Sequence, residues 1–370
     1  MNQLRSRWSE FAVSLIVVGL VLSSVVLGEE AAPWEASNPI VPIPDPPLGI
    51  GTEKNPPAKL TDFPDPPTPE RIRLGRWLFF DKRLSADNTI ACATCHRPEN
   101  GFSEPTPVST GIRGQKGGRK APSFTNQAWT SLPHFFWDGR AASLEEQAGG
   151  PMINPIEMGN KNHEVVVARL AAIKGYAKYF KESFGTEEVT IEQITKAIAD
   201  YERTRMSGNS PWDKYVAGDK TALSDEAAMG RTLFFGGGFC NNCHKGPNLT
   251  DSQFHNIGVG WDAGTKKFAD VGRYAVTKEE NDKGAFKTPS LRDVSKRAPY
   301  MHDGSIKTLA ETVKLYSKGG VPNPHLDRKI DRRFAEQLDF SEAQVSQLVK
   351  FMEALDGEGY QDTAPTAFPQ

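Results

Sequence analysis

The chain has 370 residues, and its charges nearly balance, with 44 lysines and arginines against 46 aspartates and glutamates. A chain of this length has material for two or three domains with buried cores. Only one long apolar run is present, which argues against a bundle of membrane-spanning helices. The balanced charge lacks the basic surface of a nucleic-acid-binding protein, so no nucleic-acid partner is expected.

The first residues have the pattern of an export signal. Arg5 and Arg7 precede an apolar stretch at residues 11–27, and Gly28 comes before a polar start. This pattern predicts a signal peptide over residues 1–28 and an exported, periplasmic protein. The apolar stretch is somewhat long and its cleavage pattern is poor, so an uncleaved membrane anchor stays as the alternative.

Residues 29–67 are rich in proline, which predicts an extended tether ahead of the folded body. Later segments combine helical apolar spacing with start signals in which serine or threonine is followed three residues later by glutamine or glutamate. The predicted helices are residues 68–80, 163–184 with a break near Gly175, 190–206, 224–235 and 341–355. No convincing strand pair or tight hairpin turn appears. The predicted fold is therefore mainly α, with long loops.

All four cysteines belong to two short motifs that read Cys-x-x-Cys-His. An exported protein ordinarily pairs its cysteines in disulfides. A Cys-x-x-Cys pair followed at once by histidine is instead the attachment site of c-type haem, in which the two sulfurs bond the porphyrin and the histidine ligates iron. The predicted haem-binding residues are Cys92, Cys95 and His96 in the first motif and Cys240, Cys243 and His244 in the second.

The alternatives for these motifs are a zinc site and a redox-active dithiol. Zinc ribbons place their two pairs about 15–20 residues apart, whereas Cys92 and Cys240 lie in different halves of the chain. Neither pair has the strand–helix surroundings of a thioredoxin-like domain. Two covalently bound haem c groups are therefore the expected cofactors.

The segments around the two motifs resemble each other. Gly-Arg-x-Leu-Phe-Phe precedes each motif, at residues 75–80 and 230–235, and an Asp-Gly pair follows each, at Asp138 and Asp303. Such internal similarity indicates a duplicated unit. The chain is therefore predicted to contain two cytochrome c-like haem domains related by duplication. The predicted bounds are residues 68–206, residues 207–357, and a tail at residues 358–370.

The duplication allows the distal faces of the two haems to be compared. A haem iron with one protein ligand is open to small molecules, whereas an iron with two ligands carries electrons. Thirteen residues after Asp303 the chain reaches Tyr316, and the same count from Asp138 reaches Pro151. Tyrosine can ligate iron as phenolate and proline cannot, so the first haem is predicted to be open and the second closed. The alternative for Tyr316 is a half-buried aromatic residue at a helix end.

An open haem that cleaves peroxide needs a group that moves a proton between the two peroxide oxygens. Glu157 lies six residues after Pro151, and Gln147 lies four residues before it. Both would reach the open face if this loop folds back over the haem. The alternative for Glu157 is a solvated surface carboxylate.

These residues resemble those of a known family, the bacterial di-haem cytochrome c peroxidases and MauG proteins. The resemblance covers residues 68–355. Besides the haem motifs, it rests on Leu74-Gly-Arg-x-Leu-Phe-Phe-Asp81, Phe136-Trp-Asp-Gly-Arg140, Glu146-Gln-Ala-x-Gly-Pro151-x-x-Asn-Pro-x-Glu157, Phe286-Lys-Thr-Pro-Ser-Leu-Arg292 and Ala298-Pro-Tyr-Met-His-Asp-Gly304. Tyrosine at position 316 places the chain nearest the MauG-like branch, because the better-known peroxidases carry methionine there.

The resemblance implies roles for several residues. Glu157 would be the acid–base catalyst of a peroxidatic N-terminal domain, with Gln147 and Pro151 lining the same pocket. Trp137 matches a tryptophan that relays electrons between the haems, and a large core aromatic residue is its alternative. The C-terminal domain would then serve electron transfer through its Tyr316-ligated haem.

The family also binds a calcium ion between its domains. The resemblance implies the backbone carbonyls of Arg297 and Pro299 as ligands, together with an asparagine side chain. This chain has Lys120 where the asparagine belongs, which places a cation where a cation should bind. That substitution argues against calcium. His255 is either a bonding partner for a propionate of the second haem or an ordinary surface or core histidine.

Three functions stay open at this point. A peroxidase would cleave hydrogen peroxide at the first haem and take electrons from a small redox protein, either a cytochrome c or a cupredoxin. A MauG-type enzyme would use the same oxidising equivalents on a partner protein. A non-catalytic electron-transfer cytochrome would have two six-coordinate, low-spin haems. Tyr316 favours the second function, and the family as a whole favours the first.

Overall fold

The computed structural model describes residues 32–51, 57–129, 134–330 and 338–370. The predicted export signal lies outside these residues, as do parts of the predicted tether. None of the helices in the described ranges is long and apolar enough to cross a membrane.

Helices dominate the described ranges, and eleven α-helices occur in them. They are α1 (Pro69–Phe80), α2 (Cys92–Cys95), α3 (Leu144–Ile153), α4 (His163–Ala171), α5 (Lys174–Phe184), α6 (Ile191–Arg203), α7 (Pro211–Val216), α8 (Asp225–Phe235), α9 (Tyr274–Thr277), α10 (Leu309–Ser317) and α11 (Glu342–Glu353). The prediction of a mainly α fold is confirmed. Helices α6 and α11 begin where the sequence predicts, because Thr190 and Ser341 form capping boxes at their starts. Thr308 forms a third capping box at the start of α10.

The break predicted near Gly175 lies slightly earlier in the chain. Helix α4 ends at Ala171 and α5 begins at Lys174, so Gly175 is inside α5. A Cβ atom on Gly175 would lie 2.5 Å from the carbonyl oxygen of Gln370. Glycine at this position therefore permits a close chain approach and does not interrupt the helix.

Two small antiparallel strand pairs correct the expectation of no strand pairing. Strand β1 (Phe254–His255) pairs with β4 (Phe286–Lys287), and β2 (Trp261–Asp262) pairs with β3 (Lys267–Phe268). Each strand has two residues. A strand this short shows no alternation of apolar and polar residues, so its sequence carries no strand signal.

The first hydrophobic core forms where α1 crosses α6. Trp77, Leu78 and Phe79 of α1 are fully buried there, together with Ile194 and Ile198 of α6. A second core forms in the other half of the chain where α8 and α10 pack on α11. Each repeated motif thus contributes its own core helix.

The glycine of each repeated motif marks a helix crossing. A Cβ atom on Gly75 would lie 1.8 Å from the carbonyl oxygen of Ala197, and one on Gly230 would lie 1.8 Å from that of Gln347. Only glycine allows α1 to approach α6, and α8 to approach α11, this closely. The motif has the same packing role in both halves, which agrees with a duplication.

Segments outside the two repeats pack against the first core. Tyr360 is buried in that core, and Asp362 accepts a hydrogen bond from the Tyr201 hydroxyl at 2.7 Å. In the proline-rich segment, the Trp34 indole donates to the Tyr179 hydroxyl of that core at 2.6 Å. Ile50 of the same segment is buried at the cavity of the first haem motif. The domain bounds drawn from the sequence stay predictions.

Candidate active site

The first Cys-x-x-Cys-His motif opens onto a cavity of about 830 Å³ whose walls come from both repeats. Helix α2 is a single turn from Cys92 to Cys95, and His96 follows directly as its C-cap residue. The hydroxyl of Thr94 accepts a hydrogen bond from the Ala91 backbone N–H at 2.9 Å, which fixes the start of this turn. The motif residues predicted to bind the first haem therefore lie together on one cavity wall.

His96 is held in the form that a metal requires. Its Nδ1 lies 3.0 Å from the carbonyl oxygen of Phe102. A carbonyl only accepts, so Nδ1 carries the proton and the Nε2 lone pair stays available for iron. Burial lowers the pKa of His96, which keeps the imidazole neutral. Cys92 and Cys95 are not joined in a disulfide, and burial raises the pKa of Cys95 to about 11.

The predicted distal residues line the same cavity. Gln147 and Pro151 are one turn apart on α3, and Glu157 follows in the loop after that helix. The Asn154 amide donates to Glu157 Oε1 at 3.1 Å and orients the carboxyl group. Burial raises the pKa of Glu157, and the charge of Arg140 opposes this rise. The carboxyl group is thus a cavity residue and not a solvated surface group.

The second Cys-x-x-Cys-His motif lines a separate cavity of about 210 Å³. His244 Nδ1 lies 2.9 Å from the carbonyl oxygen of Leu249, so this histidine is also held with Nε2 available. Tyr316, in the last turn of α10, lines the same cavity with Cys240 and Cys243.

Burial raises the pKa of the Tyr316 phenol well above its usual value, and the two cysteines add to this rise. A phenolate at this position therefore requires a cation such as ferric iron beside it. In the corresponding turn of α3 stands Pro151, whose side chain offers no donor atom.

Trp137 lines both cavities. Its indole N–H donates to the carbonyl oxygen of Lys120 at 2.8 Å, and its own carbonyl accepts from the Lys287 backbone N–H at 2.8 Å. The first repeat therefore holds Trp137 at its indole, and the second repeat holds it at its backbone.

Both cavities fit a haem group. Each combines a pair of cysteines, a neutral histidine with a free nitrogen lone pair, and a largely apolar wall. These are the features by which a protein attaches a porphyrin and ligates its iron.

Calcium does not fit the residues at its implied position. The Lys120 ammonium is buried at this junction and donates to the carbonyl oxygens of Glu104 and Thr106, which are not the two carbonyls implied for calcium. The Arg297 guanidinium is also buried and donates to the Thr125 hydroxyl at 2.8 Å. The Asp293 carboxylate, 3.5 Å from the Arg297 guanidinium, balances that charge, but no ion pair balances Lys120 among the described residues. A divalent cation beside Lys120 would therefore meet repulsion.

Two ionisable residues of the first cavity were missed from the sequence, the buried Glu202 and the half-buried Lys287. Glu202 on α6 is 4% exposed, and burial raises its pKa to about 8. Among the described residues, none donates a hydrogen bond to its Oε2. Lys287 lines both cavities, and burial lowers its pKa to about 8. Lys287 lies within the recognised Phe-Lys-Thr-Pro segment, but neither residue belongs to a motif with known charge chemistry.

His255 is not available to a haem propionate. Its Nδ1 lies 2.5 Å from Asp327 Oδ2, and its Nε2 lies 3.0 Å from Asp251 Oδ2. Both ring nitrogens are therefore occupied. Cys243, Asp251 and His255 also lie close enough to ligate a metal ion, but a thioether to haem would use the same Cys243 sulfur.

Comparisons with known proteins agree with this geometry. The family described as "Di-haem cytochrome c peroxidase" matches residues 69–221. The Methylamine utilization protein MauG of Methylorubrum extorquens is 40% identical over 304 residues, which cover 81% of this chain and 82% of that protein. The Cytochrome c551 peroxidase of Nitrosomonas europaea is 37% identical over 293 residues, which cover 79% of this chain and 82% of that protein.

A solved structure of a MauG-like protein associated with microbial copper homeostasis superposes with a TM-score of 0.71 at 29% identity, and the match covers 89% of this chain and 97% of that one. The diheme peroxidase BthA from Burkholderia thailandensis shares the fold with a TM-score of 0.65 at 22% identity, over 84% of this chain and 91% of that one. The identity, coverage and site residues together assign this chain to the family of di-haem cytochrome c peroxidases and MauG proteins, and it is a di-haem peroxidase.

Proposed function

We propose that the protein reduces hydrogen peroxide in the His96 cavity and that the Tyr316 cavity holds a second, closed haem that shares the oxidising equivalents. The observation that carries this proposal is the contrast between matching helix ends. Helix α3 presents Pro151 to the first cavity, and α10 presents Tyr316 to the second. A haem in the first cavity would thus receive no ligand atom from α3, and a haem in the second cavity would receive the Tyr316 oxygen from α10.

The residues that would hold the two haems follow from the cavity walls. His96 would ligate the first iron, and His244 with Tyr316 would ligate the second. Lys287 would pair with a haem carboxylate, because its ammonium faces both cavities and donates only to the His134 carbonyl at 2.7 Å among the described residues. When bound, the haem of the first cavity supplies the iron that binds peroxide and passes electrons to it.

Glu157 performs the proton transfer in this proposal. Reduction of peroxide to two waters consumes two electrons and two protons, and the O–O bond breaks readily only if the departing oxygen is protonated. The Glu157 carboxylate would take a proton from one peroxide oxygen and return it to the other. The Gln147 amide can donate a hydrogen bond to the bound peroxide from the same cavity wall.

Trp137 would connect the two sites. It lines both cavities and is fixed by hydrogen bonds at its indole and its backbone. An electron could therefore move from the Tyr316 site to the His96 site through one aromatic side chain. Proton transfer would then take place in the first cavity, and the second cavity would supply an electron through Trp137.

The coordination proposal is tested by the electron paramagnetic resonance spectrum of the resting ferric protein. We expect one high-spin signal from the open haem and one low-spin signal from the haem closed by Tyr316. Two low-spin signals would contradict the open site and would favour a non-catalytic electron-transfer cytochrome.

Covalent attachment of both haems is proposed from the cysteine pairs. We expect both haems to stay with the polypeptide on a denaturing gel, and a Cys240→Ala/Cys243→Ala variant to retain one. Loss of all haem from the denatured parent protein would rule out thioether attachment.

The electron source distinguishes scavenging from oxidation of a partner protein. The relatives include both a cytochrome c551 peroxidase and a methylamine utilization protein. Stoichiometric peroxide should be added with and without a reduced small cytochrome c. Rapid oxidation of the cytochrome over many turnovers supports scavenging, whereas a long-lived oxidised protein that ignores the cytochrome supports a protein substrate, as Tyr316 favours.

We also propose that the protein works in the periplasm. The proposal draws on the basic and apolar pattern of residues 1–28. Cell fractionation of the natural host checks it, and recovery of the haem-loaded protein in the cytoplasmic fraction would contradict it. The mass of the recovered chain shows whether this segment is cleaved or kept as an anchor.

A further inference from the structure

Lys120 is a buried cation at the junction between the two repeats. Its residue is 4% exposed, and among the described residues no carboxylate lies within ion-pair distance of its ammonium. The ammonium donates instead to two backbone carbonyl oxygens, those of Glu104 and Thr106. Neutral carbonyl oxygens are ligands that calcium uses in proteins. Lys120 thus places a positive charge where the resemblance expects an asparagine ligand, and its ammonium bonds carbonyls other than those of Arg297 and Pro299.

The Glu104 carboxylate beside this ammonium is already satisfied by other donors. Its Oε1 accepts from the Ser109 hydroxyl and the Ala121 backbone N–H, both at 2.6 Å, and its Oε2 accepts from the Thr106 hydroxyl at 2.9 Å. Both oxygens of this carboxylate are therefore already hydrogen-bonded within the local loop, without a metal ion.

The ammonium form of Lys120 persists at neutral pH although burial disfavours it. Burial lowers the pKa of Lys120 to about 8, the Glu104 charge opposes the change, and the Arg297 charge adds to it. At neutral pH the ammonium form therefore predominates.

The backbone of Lys120 joins three parts of the molecule. Its N–H donates to the His302 carbonyl of the second repeat at 2.7 Å, and its carbonyl accepts from the Trp137 indole at 2.8 Å. Fixing the Lys120 side chain therefore also fixes the indole between the two cavities.

We propose that the Lys120 ammonium permanently replaces the calcium ion of related proteins and holds the Trp137 junction in place without a metal. The inference rests on the family membership and on these contacts, and it does not depend on the proposed peroxide chemistry. Lys120 acts as a positioning residue, because it reaches the site through Trp137.

Metal analysis of the purified, haem-loaded protein provides the first test. We expect far less than one calcium per chain by elemental mass spectrometry, and no change in Tm after treatment with a calcium chelator. Stoichiometric calcium, or a fall in Tm after chelation, would overturn the proposal. This measurement uses the parent protein, so it does not depend on whether a variant folds.

A Lys120→Asn variant provides the second test, because it removes the cation and supplies an amide oxygen. We expect its Tm to fall by several degrees and to recover when millimolar calcium is added. Lys120→Met should lose the same stability without recovery, since it offers no oxygen ligand. Lys116→Asn, an exposed change in the same loop, serves as the control and should match the parent.

The second test contradicts the proposal if Lys120→Asn is as stable as the parent, or if calcium has no effect on a destabilised Lys120→Asn. The test measures only Tm, so neither outcome bears on whether the parent protein reduces peroxide. Failure of this inference and failure of the proposed function can thus be told apart.

Discussion

Glu157 combines burial, orientation and a raised pKa in one carboxyl group. A base must be ionised to accept the peroxide proton, so the rate should fall as the pH drops through the pKa of Glu157. Burial places that pKa above its ordinary value of 4.5. The rate constant for reaction with peroxide should therefore rise with pH through an inflection above 4.5 and then level off.

Replacing Glu157 with glutamine should remove this inflection and slow the reaction by about 10²–10⁴-fold, which is the usual contribution of a positioned acid–base group. Stopped-flow absorption of the haem measures the rate constant. The matched control is Glu164→Gln, an exposed change in the first turn of α4. A variant that reacts as fast as the parent would show that another group moves the proton.

Tyr316 can be tested apart from peroxide chemistry. Tyr316→Phe keeps the ring in the second cavity and removes only the phenol oxygen, so the fold should persist. The low-spin ferric signal should be lost and replaced by a second high-spin signal, because iron then keeps His244 alone. Tyr300→Phe is the control, since Tyr300 lines the same cavity and its hydroxyl donates to the Val294 carbonyl at 3.2 Å. An unchanged low-spin signal in Tyr316→Phe would rule out ligation.

At the scale of single residues, the sequence predicts the site residues that belong to motifs. The cysteines, histidines, Pro151 and Tyr316 follow from spacing within the repeats, and the structure brings them together on cavity walls. Glu202 and Lys287 could not be predicted in this way. Their roles depend on which charges become buried without a counterion, and burial arises from three-dimensional packing.

At the scale of elements, replacing either motif glycine with alanine has two opposing effects on stability, and the larger effect decides the outcome. Alanine in place of a helical glycine ordinarily stabilises by about 1 kcal/mol. At Gly75, however, the added Cβ would lie 1.8 Å from the Ala197 carbonyl oxygen. Forcing α1 away from α6 costs about 3 kcal/mol, at the upper end for an overpacked core. Gly75→Ala should therefore be less stable than the parent by about 2 kcal/mol.

Gly230→Ala should show a similar loss, because the Gln347 carbonyl oxygen is equally close. Denaturant unfolding measures both changes. Gly237→Ala is the control, since a Cβ there meets no atom within 4 Å, and it should change stability by less than about 0.5 kcal/mol. Equal stability of all three variants would mean that the helices move apart freely.

The starts of the helices can be predicted from neighbouring residues in the sequence, whereas the strand pairs of this protein cannot. Capping boxes mark the starts of α6, α10 and α11 in the sequence itself. The pairing of Phe254 with Lys287 joins residues far apart in the chain, and each strand is too short for a pattern. Such contacts exist because the haem-cavity loops are packed together, which the sequence of either strand alone does not encode.

At the scale of the whole molecule, Asp362 ties the end of the described chain to the first core. Its carboxylate pairs with Arg76 at 2.9 Å and with Arg205 at 3.2 Å, and it accepts from the Tyr201 hydroxyl at 2.7 Å. Burial alone would raise the pKa of Asp362, but the hydrogen bond from Arg76 and the charges of both arginines lower it overall.

Asp362→Asn should therefore destabilise the protein, because it leaves two partly buried guanidinium groups without their counterion. Breaking a fully buried ion pair costs about 3–5 kcal/mol. Arg76 and Arg205 keep 17% and 14% of their side-chain exposure, so we expect a smaller loss of about 2–3 kcal/mol at neutral pH. Glu188→Gln, an exposed change, is the control and should leave stability unchanged.

The pH dependence of this loss has a definite sign. A carboxyl group with a lowered pKa in the folded state stabilises fully above its unfolded pKa, near the ordinary value of 3.8, and loses that effect as the pH falls toward the folded pKa. The difference in unfolding free energy between the parent and Asp362→Asn should therefore be constant near neutral pH and shrink below about pH 4. Denaturant unfolding of the parent and the variant, at neutral pH and again below pH 4, measures this difference. A difference that stays the same in acid would show that Asp362 stabilises through packing and not through its charge.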